Sequence, residues 1–334
     1  CYNDFHKIST LKMNTYTGPH IVSTIVIVAA RRTPLGGFQG VLSSVSAPDL
    51  SATATKACIA DSKLSAADID EAIIGCVLPA GIGQAPARQA ALKAGLPISA
   101  GATTINKVCG SGMKSVMLAS DMIKAGSANV VLAGGMESMS GSPYLLPKAR
   151  EGYRMGHQEV LDHMFFDGLQ NPYDGNMMGH FAEETSKKYN LTREAQDSFA
   201  IESVQRARAA IESGAFHGEI APVSFTHRRK EHTVSVDEEP AKHDLELIST
   251  MRPAFAKGGT VTAATSSSIS DGAASLILMS EAEAKQRGLT PLAKIVGYAS
   301  HSHEPEWFTT APVGAVKALL EQVQWSVDDV DLFE

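Results

Sequence analysis

The run Thr24-Ile-Val-Ile-Val-Ala-Ala30 is rich in β-branched residues and apolar after Thr24, and Thr33-Pro34-Leu35-Gly36-Gly37 follows it. An alternating strand can keep one face in water; a continuous apolar one cannot. The run therefore predicts a strand buried on both faces that enters a turn. Ile21–Ala30 is too short to cross a bilayer, and Arg31-Arg32 follows directly. A polar stretch before it, with no cleavage site after it, argues against a secretory signal. The first dozen residues read as a poorly ordered extension with Met13 as a natural start, and the chain as a cytoplasmic protein.

The pattern that follows alternates. Asp49–Ala60 has helical spacing, and Ser65 with Asp68 forms an N-cap and acidic first turn of a short helix. Glu71–Leu78, Ile105–Cys109 and Asn129–Ala133 read as strands, with a helix over Gly110–Ala125. Strands alternating with helices predict a parallel α/β sheet covered on both faces. From about Ser140 to Ser268 the texture changes. Tyr144–Asp174 is rich in Gly, Pro, Met and aromatics and predicts long loops. Thr192 then caps a long helix that stops at Gly214, with Glu194 in its first turn. Strand signals return at Ser275–Met279 and Ala293–Ala299. The middle reads as an insertion laid over an α/β core.

Two stretches resemble each other. Ala47-Pro48, a helix and Ser65-Ala-Ala-Asp-Ile-Asp70 lead into a strand. Ala311-Pro312, a helix and Ser326-Val-Asp-Asp-Val-Asp331 come near the end, where a second strand is expected to begin. Read as a repeat, they predict two similar halves, the second lacking its counterpart of the Cys109 region.

The 29 basic and 36 acidic residues give a net charge of −7, which argues against a broad nucleic-acid-binding face. A local basic patch for a phosphate-bearing ligand stays open. Cys1, Cys58, Cys76 and Cys109 are far apart and read as free thiols rather than a disulfide frame. No His or Cys pair has metal-ligand spacing. Cys109 is the cysteine with chemistry around it. Gly110-Ser111-Gly112 follows, then a helix with Met113, Val116, Ala119 and Ile123 on one face. At a strand-to-helix turn, unpaired backbone N–H groups and the helix dipole favour a thiolate, and small neighbours admit a substrate carbonyl. The Cys109 N–H could help hold an oxyanion, and such a thiol suits a thioester intermediate. The spacing alone fits equally a buried free cysteine before a glycine turn.

Asn106-Lys-Val-Cys-Gly-Ser-Gly-Met-Lys114 resembles the nucleophile motif of the thiolase family, as does Val131-Leu-Ala-Gly-Gly-Met-Glu-Ser-Met139. Arg31-Arg-Thr-Pro34, Gly83-Gln84 with Pro86-Ala-Arg-Gln89, Met178-Gly179 with Ala182-Glu183, and Arg252-Pro-Ala-Phe255 match in the same order. Gly259-Thr-Val-Thr-Ala263, leading to Ser267 and Asp271-Gly-Ala273, completes the set. The Lys-Val-Cys-Gly-Ser-Gly form is nearer the short-chain acetoacetyl-type members than the long-chain ones.

The resemblance implies a layered αβαβα architecture of two similar α/β halves. The N-terminal half would take 20–139 with 269–290, the inserted CoA-binding loop domain 140–268, and the start of a truncated C-terminal half 291–334. Cys109 would carry an acetyl group between CoA thioesters, in Claisen condensation of acetyl-CoA or thiolysis of acetoacetyl-CoA. Ser267 would bond the pantetheine arm, and Phe255, Ala263, Leu169 and Met178 would line its slot. Lys242 or His227-Arg-Arg-Lys230 would meet the CoA phosphates. A solvated charged face also accounts for that cluster. CoA thioesters would be substrates, with no cofactor or metal, and the assembly a homodimer or homotetramer without nucleic acid or membrane.

Met177, Thr265 and Ser268 depart from the family's usual His, Asn and Gly. The family's Asn-Glu-Ala-Phe, Gly-His-Pro and Cys-x-Gly motifs are expected after Glu334, so the chain as given would not turn over. His20, His163, His180, His301 and His303 stand outside any catalytic motif. Two other readings remain. A shortened, inactive CoA- or partner-binding protein would bind CoA without thiolysis. A cysteine hydrolase or ketoacyl synthase on the same fold is opposed by the Phe255–Ser267 matches.

Overall fold

The computed structural model describes residues 23–334; the expectations for the first dozen residues, Met13, Cys1 and His20 lie outside the described residues. The apolar run forms β1 (Ile25–Arg32). After it come β2 (Gly36–Gly37), α1 (Ala47–Ser62), β3 (Glu71–Gly75), α2 (Pro86–Ala94), β4 (Gly101–Ile105), α3 (Ser111–Lys124) and β5 (Val130–Ser138). The middle holds β6 (Tyr144–Leu145), β7 (Leu161–Asp162), α4 (Met178–Lys188), α5 (Arg193–Glu212), β8 (Val223–His227), β9 (Lys230–Val234) and α6 (Glu239–Lys242). Next are β10 (Ser270–Ser280), α7 (Glu281–Gln286), β11 (Ala293–Ile295) and α8 (Ala311–Val323).

The main sheet has the order β11-β1-β10-β5-β3-β4, with β2 on β10. Its strands carry side chains alternately to two apolar layers. Val26, Ile74, Val130, Leu132, Ile277 and Met279 face α1 and α2. Ile25, Ile73, Val131, Ala133 and Leu278 pack with Ala119 and Ile123 of α3 on the other side. Double burial is why these strands read as continuous apolar runs.

The sheet is not all-parallel as expected. β3 pairs parallel with β4 and β5, but β10 is antiparallel to β1, β2 and β5, and β11 is antiparallel to β1. The cause is the insertion. The first residues of β10 pair with the last of β5, Asp271 opposite Ser138, so the chain leaves and re-enters the sheet at one end. The returning strand must then run backwards.

Element ends also differ. Ile105–Cys109 is not a strand: β4 stops at Ile105, because Asn106 Oδ1 accepts the Val108 N–H at 2.8 Å and folds the chain into a turn. β3 ends at Gly75, β5 continues to Ser138, and Ser65–Asp68 is a capping box on a single 3₁₀ turn. The Tyr144–Asp174 loops contain a short β6–β7 pair and one π-helical turn, Met164–Leu169.

The two similar stretches adopt one geometry. α1 ends in the left-handed region at Lys63 (φ 60°) and α8 at Gln324 (φ 58°). Two residues later, Ser65–Asp68 and Ser326–Asp329 each close a capping box over a 3₁₀ turn. The copies part there. The first enters β3; the strand expected from Asp331 does not form, and Leu332 and Phe333 are exposed. β3 is held between β4 and β5, whereas no strand flanks 331–334 among the described residues.

Candidate active site

Cys109 sits on an exposed turn between β4 and α3, its neighbours Asn106, Lys107 and Val108 exposed with it. The bland alternative of a buried thiol is therefore overturned. The turn is built by its own side chains. Ser111 Oγ accepts the Lys107 N–H at 2.8 Å and donates to the Val108 carbonyl at 2.6 Å, while Asn106 holds the Val108 N–H. Between these bonds Val108 takes φ 47°. For a β-branched residue that is a strained conformation, costing about 1–3 kcal/mol. It places Cys109 two residues before the start of α3, at the positive end of the helix dipole.

Glycines let α3 sit close to the sheet. A Cβ on Gly75 would lie 2.6 Å from Ser111 Cβ, and one on Gly135 would lie 3.3 Å from Gly112 Cα. At Gly134 an added Cβ would collide with the Ala274 carbonyl of the neighbouring strand. Gly135 of the second motif is thus part of the seat of the first, and Gly134 lets β10 lie close against β5.

A second cluster gathers the CoA-loop residues. The Phe255 ring lies over Gly179, beside half-buried Met178 at the start of α4. Glu183, buried on α4, accepts the backbone N–H groups of Thr260 (3.0 and 2.9 Å) and Val261 (2.9 Å). That tether fixes the loop running to Ala263 and Ser267, both exposed. Thr265 shapes it further: its hydroxyl accepts the Thr262 N–H at 2.8 Å and closes a capping box. Met177 occupies the N-cap position of α4 with no side-chain cap bond. Leu169 ends the π-helical turn; a Cβ on the preceding Gly168 would lie 3.3 Å from Leu78.

The phosphate contacts fare differently. Lys242 Nζ is bonded to Glu238 (3.0 Å) and Glu239 (2.9 Å). The bond to Glu239 foremost raises its pKa. Its charge is already answered. His227–Lys230 forms the exposed tip of the β8–β9 hairpin, with Arg228 and Arg229 both at positive φ.

Sequence reasoning gave no role to Glu137 or His163. Glu137 Oε2 accepts the Val77 N–H at 2.8 Å and Oε1 the Leu78 N–H at 3.1 Å, with Cys76 Sγ 3.6 Å away. Burial raises its pKa, and burial pushes Cys76 up to about 12. Buried His163 bonds Asp167 through Nδ1 (2.5 Å) and accepts the Ala80 N–H through Nε2 (3.4 Å). A lone charged residue inside the otherwise uncharged strand Val130–Ser138 was the available signal. No histidine bonds Cys109 among the described residues. A wide surface cleft of 520 Å³, lined by Asn171, Tyr173, Asp174, Pro305 and Glu306, holds none of the expected site residues.

The chain belongs to the thiolase family. The family model "Thiolase, N-terminal domain" matches residues 25–282, and "Thiolase, C-terminal domain" matches 289–334. Among curated proteins the chain is similar to acetyl-CoA acetyltransferases. That of Pseudomonas aeruginosa is 47% identical over 312 residues, covering 93% of this chain and 79% of the relative. That of Escherichia coli is 50% identical over 311 residues, covering 92% and 79%. The crystal structure of the Bacillus anthracis acetyl-CoA acetyltransferase superposes with a TM-score of 0.90 at 40% identity, covering 93% of this chain and 79% of that one. The expectation of a missing C-terminal part is corrected by the second family match: residues 289–334 are C-terminal-domain sequence.

Proposed function

We propose that the chain is an acetyl-CoA C-acetyltransferase acting through an acetyl thioester on Cys109. The observation that carries it is the exposed Cys109 turn, strained at Val108 and seated on Gly75 and Gly135 beneath α3. Similarity to acetyl-CoA acetyltransferases over more than nine-tenths of the chain supports the substrate. The Cys109 sulfur attacks the thioester carbonyl of acetyl-CoA, the C–S bond to CoA breaks, and CoA leaves as the thiol after taking a proton. The α-carbanion of a second acetyl-CoA, its proton removed by a base, then attacks acetyl-Cys109. Acetoacetyl-CoA forms and the Cys109 thiol is regenerated. Thiolysis of acetoacetyl-CoA by CoA is the reverse.

In this reading Met178, Phe255, Ala263 and Leu169 line the pantetheine slot and Ser267 bonds the arm. Lys242, paired with Glu238 and Glu239, would have to leave these carboxylates to meet a CoA phosphate. The substrates are CoA thioesters and no further cofactor takes part. The α/β half comprises residues 20–139 and 269–290, residues 140–268 form the CoA-binding insertion, and 291–334 belong to the second half. The working form is a cytoplasmic homo-oligomer; among the described residues no helix is long and apolar enough to cross a membrane.

Intact mass before and after incubation with acetoacetyl-CoA tests the proposal. The expected result is a gain of one acetyl group, lost in Cys109→Ala. No adduct on the wild-type chain, with CoA binding retained, would instead favour a CoA-binding protein without turnover.

A further inference from the structure

The bonds around Glu137 lead, step by step, to the nucleophile turn. The adjacent N–H groups of Val77 and Leu78 converge on its two carboxylate oxygens, at 2.8 and 3.1 Å. That places the Val77 carbonyl to accept the Asn106 side-chain amide at 3.4 Å, while the Cys76 N–H donates to the Ile105 carbonyl at 3.0 Å. Asn106 is thereby tied on one side to the Cys76–Leu78 segment. On the other side its Oδ1 holds the Val108 N–H at 2.8 Å. Val108 lies at φ 47°, and such a conformation persists only where its surroundings over-determine it.

We propose that Glu137 is a positioning residue for Cys109, acting through Val77, Leu78 and Asn106 to hold the strained turn at Val108. The inference rests on the reading of Cys109 as the nucleophile. Chemistry explains why a carboxylate stands here. A carboxylate gives each of the two N–H groups its own charged acceptor oxygen, whereas an amide would offer one oxygen to one of them and turn an NH2 donor toward the other. A half-buried carboxylate with nothing to receive would be costly; this one receives two backbone bonds. His163 steadies the far end of the same segment through the Ala80 N–H, so the segment is clamped from β5 and from the insertion together. Glu137 touches no reacting atom, and its effect travels through the Val77–Leu78 backbone and the Asn106 side chain.

A double-mutant cycle on the full chain tests this. Glu137→Gln, Asn106→Ala and the double variant are compared in the rate of Cys109 acetylation by acetyl-CoA. The rate of Cys109 alkylation by iodoacetamide is followed in parallel by peptide mass. Thermal melting confirms that each variant is folded. Each single change is expected to slow both reactions about tenfold, the loss expected for a displacement of well under 1 Å. The double variant should be no slower than the slower single, because both residues act on one turn. Single-variant rates within twofold of wild type, or losses that multiply in the double, would overturn the proposal. If Glu137→Gln does not fold, Asn106→Ala decides alone: a Cys109 rate within twofold of wild type overturns the relay. Failure of the wild type to form an acetyl adduct would refute the proposed function, while the alkylation rates would still decide this inference.

Discussion

Gly75→Ala probes how the fold reaches the site. Gly75 ends β3 and is absent from the glycines at positive φ, so alanine meets no backbone penalty there. In a strand interior, exchanging glycine for alanine would ordinarily stabilise by about 0.5–1 kcal/mol. Here the added Cβ lies 2.6 Å from Ser111 Cβ and 2.7 Å from the Ser111 carbonyl carbon. Carbon atoms settle at about 3.5–4.0 Å, so the first turn of α3 must retreat by about 1 Å. Its backbone cannot swing aside as a side chain could. Overpacking of this kind costs about 1–3 kcal/mol, which outweighs the gain, and the net sign is destabilising. The functional cost is larger. Ser111 Oγ holds both Lys107 and Val108, so the displacement passes directly to Cys109, where about 1 Å is worth roughly 100-fold in rate. Calorimetry should show a melting temperature a few degrees lower, and intact-mass kinetics an acetylation rate about two orders of magnitude slower. A Gly75→Ala protein that melts at or above the wild-type temperature and acetylates normally would refute the account of the glycine seat.

The neighbouring glycine gives the opposite expectation: in Gly112→Ala the new Cβ comes no nearer than 3.9 Å to Gly135. Helix propensity should then leave stability unchanged or up to about 1 kcal/mol higher in urea unfolding. Arg193 bonds Asp197 through Nε (2.9 and 2.8 Å) and the Ile248 and Met251 carbonyls through Nη2 (3.1 and 2.8 Å). Arg193→Ala should cost about 3–5 kcal/mol by stranding buried Asp197, and should weaken CoA binding in calorimetry by freeing the segment that carries Phe255. Burial pushes the thiols of Cys58 and Cys76 up to about 12 from an ordinary 9. The folded chain keeps these protons longer than the unfolded one. Their contribution is therefore whole below pH 9 and is lost as pH rises toward 12, at about 1.4 kcal/mol per pH unit for each thiol. Urea unfolding from pH 8.5 to 10.5 should show that decline, and Cys58→Ala should make it shallower; an unchanged slope would refute the assignment.

What the sequence revealed and what it concealed follow from the range of the interactions. The β1 run, the Thr192 cap and the Ser65–Asp68 box were legible because burial on two faces and capping are written in neighbouring residues. The reversed direction of β10 was not. It depends on the chain leaving after Ser138 and returning at Ser270 to the same end of the sheet, and no local pattern records that. The Cys109 turn shows the limit within a single motif. Small residues around the thiol announced a helix start, yet Ile105-Asn-Lys-Val-Cys109 still read as a strand, because Val and Ile favour extended backbone. Short-range side-chain bonds override that preference: Asn106, two residues before, and Ser111, three after, hold Val108 from both sides. Glu137, distant in sequence and joined to the turn only through the backbone of Val77 and Leu78, leaves no mark near Cys109. The strain at Val108 and the carboxylate on β5 are thus parts of one arrangement. A residue-by-residue reading separates them, and only the fold links them, through Val77 and Asn106.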